Sequence, residues 1–88
     1  MKSKYTFEKM ELDGEIIAVP VGESASGLHA VLNLNEEAMR ILELLREETT
    51  EQAIVSQLLT EYEGTEEGIR PLVHAFIEQL RGEGMLTE

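Results

Sequence analysis

Leu28-His29-Ala30-Val31-Leu32-Asn33-Leu34-Asn35-Glu36-Glu37-Ala38-Met39-Arg40-Ile41-Leu42 is the stretch in which the hydrophobic period of the chain changes. Up to Leu34 the side chains alternate. Leu28, Ala30, Leu32 and Leu34 share one face and His29, Val31 and Asn33 the other, the period-two pattern of a strand. From Asn35 onward Ala38, Ile41, Leu42 and Leu45 recur at i, i+3, i+4 and i+7, the period of a helix. Asn35 is a favoured N-cap, and Glu36 and Glu37 stand in the first turn, where the helix dipole favours anions. The chain therefore passes from sheet to helix at Asn35.

Working back from that point, Asp13-Gly14 between two extended runs predicts a type I′ hairpin turn. The runs are 5–12 and 15–21; Ile16, Ile17, Val19 and Val21 in the second are strong strand formers. Pro20 has no donor for a ladder bond, so it belongs at an edge, a bulge or a strand end. Gly22–Gly27 is small and polar, a loop, and 28–34 is the third strand. Three antiparallel strands in a meander are expected.

Working forward, the first helix is expected over 36–47. Thr49 and Gln52 are spaced as a capping box for a second helix over 51–62, which buries Ile54, Val55, Leu58, Leu59 and Tyr62 and closes at Gly64. A third helix over 66–81 buries Ile69, Leu72, Val73, Phe76, Ile77 and Leu80. Pro71 inside it predicts a kink or a delayed start. Gly82 and Gly84 end it, and Met85-Leu86 is expected to fold back onto the core. The fold class is α+β, a single domain over 1–88.

Eighty-eight residues leave room for one packed core. The chain carries 18 Asp and Glu against 7 Lys and Arg, a net charge of −11. Such a surface repels phosphate backbones, which argues against nucleic acid as a primary partner. Without cysteine there are no disulfides and no thiolate chemistry. No apolar run approaches the roughly 20 residues of a membrane span, and Met1–Tyr5 leads into no apolar stretch. A cytoplasmic, membrane-free protein is expected.

Catalytic motifs are missing. His29 and His74 have no acid at ligand spacing, so neither a metal site nor a cofactor is expected. Glu36-Glu37, Glu47-Glu48 and Glu66-Glu67 are adjacent pairs near helix ends, whose members do not face each other as an acid–base pair must. There is no phosphate-binding glycine loop and no nucleophile elbow. The chain reads as a binding module and not an enzyme. Strands followed by short helices have a winged helix-turn-helix outline. The residues from 35 onward, however, hold thirteen acids against four arginines, the wrong sign for a DNA-recognition helix.

Leu34-Asn35-Glu36 followed by Ala38 and closed by Leu44-Leu45 resembles the start of the first helix in the PqqD-like family. Val19-Pro20-Val21-Gly22, the loop end at Gly27, Thr50-Glu51-Gln52 through Glu61-Tyr62, and Val73, Phe76, Ile77 and Leu80 before Arg81-Gly82-Glu83-Gly84-Met85-Leu86 are also similar to it. The likeness spans roughly 15–87. It departs from the family pattern at Leu42, where an aromatic is frequent, and at Leu72, where an acid is frequent.

The resemblance implies a recognition element for the leader segment of a ribosomally made precursor peptide, presented to a maturase such as a radical-SAM enzyme. In such domains the leader adds as a strand to the third strand, against the third helix. That mode needs an unpaired edge, and 28–34 carries no proline to interrupt one. Candidate peptide-binding residues are His29, Ala30, Val31, Leu32 and Asn33 on the strand and Leu72, Ala75, Phe76 and Gln79 on the helix. Taken singly, Leu32, Leu72 and Phe76 also read as plain core, and Ala75 as a small residue that leaves a groove open. Arg70, His74 and Arg81 offer charge for an acidic leader, while the acidic background favours a basic one. A DNA-binding regulator and a dimerisation module are the alternatives, and both monomer and dimer suit an exposed edge.

Overall fold

The computed structural model describes residues 1–21 and 32–88. The elements are β1 (Lys2–Ser3), β2 (Thr6–Leu12), β3 (Glu15–Val21), β4 (Leu32–Leu34), α1 (Glu36–Leu44), α2 (Glu51–Glu61), α3 (Glu66–Gly82) and β5 (Leu86–Thr87). β2, β3 and β4 form an antiparallel sheet in that order, so the meander expected from the sequence is present. It turns at Asp13 and Gly14, whose φ values of 52° and 81° are both positive, as a type I′ turn requires. β2 begins at Thr6, one residue later than expected, and the described part of the third strand is Leu32–Leu34; the expectation for 28–31 lies outside the described residues. Pro20 stands near the end of β3, opposite Phe7 and beyond the residues paired with β4.

Each helix starts on a side-chain oxygen that satisfies an orphan amide. Asn35 Oδ1 accepts from Ala38 N at 2.8 Å, Thr50 Oγ1 from Ala53 N at 3.1 Å and Thr65 Oγ1 from Gly68 N at 3.2 Å. The cap of α2 is thus Thr50 and not Thr49, whose amide donates to Met1 O at 2.9 Å. α1 stops at Leu44, three residues short of expectation. The Leu45 carbonyl is taken by the amide of Ser3 at 2.9 Å, and Glu47 and Glu48 oppose the negative end of the dipole. α3 runs unbroken from Glu66 through Pro71, so its start is not delayed. The one bond given up is the amide that would have reached Glu67 O.

The core gathers Phe7 and Ala18 from the sheet, Met39, Ile41, Leu42 and Leu45 from α1 and its cap, Ile54, Val55 and Leu58 from α2, and Val73, Ile77 and Leu80 from α3. Met85 and Leu86 return to it as expected. Unforeseen is the second, two-stranded sheet, in which Ser3 pairs with Leu86 and Lys2 with Thr87. Met39, absent from the sequence-derived stripe, is buried, whereas Leu72 is 66% exposed. No described helix is long and apolar enough to cross a membrane.

Ile77 is fully buried, so Ile77→Ala removes packed volume that neighbours cannot refill. We expect a loss of about 2–5 kcal/mol, against about 1 kcal/mol for Asn35→Ala, which deletes one cap. Urea denaturation of the two variants checks the ranking.

Candidate functional site

Round the barrel of α3 the apolar sector fades gradually into solvent. Placing successive residues at the helical angle gives the order Ile77, Val73, Leu80, Ile69, Phe76, Leu72, Gln79, Ala75. The first three are buried, Ile69 and Phe76 are half-buried, and the last three are exposed. The apolar sector is wider than the core covers. Its uncovered flank becomes one wall of a cleft.

That cleft holds about 360 Å³ and is lined from three helices. α1 and its cap supply Asn35, Glu37, Ala38 and Ile41, the end of α2 supplies Leu58 and Tyr62, and α3 supplies Ile69, Leu72, Val73, Ala75, Phe76 and Gln79. Buried Ile41, Leu58 and Val73 make the floor, while Leu72, Gln79 and Glu37 stand at the exposed rim. Ala75 contributes only a methyl group, which leaves room beside Phe76. The volume and the apolar floor suit a few side chains of an extended ligand. A wider, more open hollow of about 660 Å³ at the hairpin tip is ringed by Glu11, Asp13, Glu15 and Glu36, with Ile16 and Leu34 also in its lining.

Leu72, Ala75, Phe76 and Gln79 therefore meet in one cleft. Leu32 and Asn33 lie in β4, Leu32 half-buried against the core and Asn33 exposed on the opposite face, where its amide donates to Glu15 Oε2 at 3.3 Å. His29, Ala30 and Val31 fall outside the described residues. Leu72 is corrected from core to rim, because the helices turn its side of α3 away from the packed interior. Sequence reasoning assigned Ile41, Leu58 and Tyr62 to the core and missed that they also face the cleft. Their stripes give no sign of it, because a floor residue is buried whether or not there is a cleft above it. Along its side away from β3, β4 pairs with no described strand.

The basic side chains of α3 are spoken for. Arg70 donates to Glu66 and to Gln52 Oε1, His74 Nδ1 lies 3.1 Å from Glu51 Oε1, and Arg81 donates to Glu78 and Glu88. None of the three lines the cleft. Beside the cleft, Arg40 Nε and an Arg40 amino group reach the two Glu61 oxygens at 2.7 and 2.8 Å, which ties α1 to α2. That pair, with Gln57, holds the Glu61 carboxyl down to about 2. Burial, reinforced by the Glu37 carboxylate, pushes the Tyr62 phenol up. Among the described residues no group of three or more His, Asp or Glu is placed to hold a metal ion.

Residues 15–86 match the model of the family described as coenzyme PQQ synthesis protein D (PqqD). No curated protein sequence matches the chain. Among solved structures, the fold is similar to that of TbiB1 in complex with the TbiA(β) leader peptide. The two chains share 20% identity at a TM-score of 0.68, over 98% of this chain and 94% of that one.

Because the Glu61 carboxyl is depressed, its contribution to stability is full above the ordinary carboxylate range and is lost as pH falls toward about 2. We expect Arg40→Met to be less stable than the parent near neutrality. That gap should narrow on acidification from about pH 6 to about pH 2.5, read as urea midpoints. A gap independent of pH would mean the pair contributes nothing.

Proposed function

The chain belongs to the PqqD family, and on that premise we propose that it is a non-catalytic adaptor for a ribosomally made precursor peptide. The leader segment adds as a strand to residues 28–34, of which 32–34 form β4 and 28–31 lie outside the described residues, and alternate side chains enter the cleft between α1 and α3. The bound peptide is then presented to a peptide-modifying enzyme, of which a radical-SAM maturase is one kind. The observation that carries this reading is the apolar cleft on the uncovered flank of α3, beside a strand whose far side meets no described partner.

Each feature has a role in that binding mode. Main-chain bonds along an edge give affinity with little regard to sequence, and pockets for alternate side chains give specificity. Asn33 and Leu32 offer the strand's main chain; His29, Ala30 and Val31, outside the described residues, complete the proposed peptide contacts. Phe76 and Leu72 supply apolar contact, Ala75 supplies space, and Gln79 supplies a polar group at the rim. TbiB1, solved in complex with a leader peptide, has a similar fold, which supports leader binding without identifying the peptide bound here. No acid–base or nucleophilic step enters the reading, and its setting is the cytoplasm, where precursor peptides are translated.

Duplex DNA binding is the weaker alternative. Arg70, His74 and Arg81 are the basic side chains of α3, and all three face carboxylates of this chain. Counterion release, the main source of affinity for a phosphate backbone, has little to draw on.

A synthetic leader from a candidate precursor peptide, titrated into isotope-labelled protein, should shift amides of 28–34 and of α3. Leu72→Ala and Ala75→Trp should each weaken binding by at least about tenfold. Both positions are exposed, so Leu72→Ala should leave the unfolding free energy within about 0.5 kcal/mol of the parent. Unchanged affinity in both variants would put the peptide elsewhere on the protein.

A further inference from the structure

The three-stranded sheet has a second face that the cleft does not use. Register places Met10 opposite Ile17, and Ile17 opposite Asn33, on one side; Glu8 with Val19 and Leu12 with Glu15 lie on that side too. Phe7, Ala18, Ile16, Leu32 and Leu34 point the other way, into or against the core. Met10 is 55% exposed and Leu12 61%. Ile17 and Val19 are half-buried by their neighbours yet belong to no part of the core cluster. With Val21, which register places on the same face opposite Thr6, an apolar strip of five side chains thus runs along the outside of the hairpin.

Its charges have one sign. Glu8 and Glu15 are the ionised groups that register puts on this face among the described residues, and Glu15 is held there by Asn33. Lys9, the cation of β2, points to the other side, next to Glu11 at 3.5 Å. An apolar centre flanked by carboxylates fits a surface with an apolar centre flanked by lysine or arginine. A second copy of this chain would bring Glu8 and Glu15 against their own kind, at −11 per chain. An anionic lipid surface would be repelled for the same reason.

We propose that this outer sheet face docks the peptide-modifying enzyme through a basic-rimmed apolar patch on that enzyme, while the cleft on the helical side holds the peptide. The inference rests on the adaptor reading and adds where the second partner binds. The two occupants use opposite sides of one sheet, so neither displaces the other, and a strand added to β4 would lie beside the docked enzyme.

The test uses the full chain and the purified modifying enzyme of a candidate precursor peptide. Met10→Ser combined with Leu12→Ser should raise the Kd for the enzyme by at least about tenfold. Leader affinity and the thermal midpoint should stay at the parent values. Glu8→Lys should slow association, and parent association should itself slow between about 0.05 and 0.5 M salt. Equal enzyme affinity in parent and double variant would overturn the proposal, as would an enzyme that does not bind the parent. So would sedimentation showing a parent dimer that the double variant breaks, since the occupant would then be a second copy. Failure of leader binding with the docking effect intact would overturn the adaptor reading and leave this face standing.

Discussion

The width of the apolar sector on α3 is the constraint from which the rest of the molecule follows. A helix packed against a small core can hide only part of its circumference. Here Val73, Ile77 and Leu80 take that part, and Ile69 and Phe76 lie on the boundary. Leu72 is left in solvent. In a chain of 88 residues the core cannot be enlarged to cover the remainder. The uncovered apolar flank is stable only because α1 and the end of α2 fence it into a cleft.

The fence is held by polar contacts that cost little and fix much. Three side-chain caps set where the helices begin, and the Arg40–Glu61 pair sets α1 against the end of α2. The short sheet of β1 with β5 closes the chain from the opposite side, and Ser3 and Lys4 donate to Leu45 O and Met85 O. Arg46 reaches back to Phe7 O at 2.8 Å and fastens the α1 end to the hairpin. None of these contacts needs a large desolvated surface, which suits a small acidic chain with few aromatic residues. The basic side chains of α3 are paired within the fold, which leaves the cleft wall apolar and poorly suited to phosphate.

An adaptor must hold one partner without obstructing another, and a three-stranded sheet backed by helices on one side has the geometry for it. In the proposed binding mode strand addition uses an edge, the cleft uses the helical side, and the outer face of the hairpin is left for a third contact. The alternation of side chains along β2 and β3 separates these surfaces at the level of single residues: Phe7 and Ala18 go inward while Met10 and Ile17 go outward.

Local physics alone carried much of the architecture. The change of period at Asn35, the Asp13-Gly14 turn and the cap Asn35 were legible because each is settled by a residue and its near neighbours. Leu72, Ala75, Phe76 and Gln79 were legible as one flank of a helix for the same reason, and the family resemblance singled that flank out. What the sequence could not determine is where on that flank the solvent boundary falls, since Leu72 and Ile77 are equally apolar and differ only in what packs against them. Nor could it choose Thr50 over Thr49 as a cap, stop α1 at Leu44 or join β1 to β5, because each depends on an amide or carbonyl some forty or more residues away. Tertiary structure decided those points, for burial and long-range hydrogen bonds are properties of the assembled chain and not of any window within it.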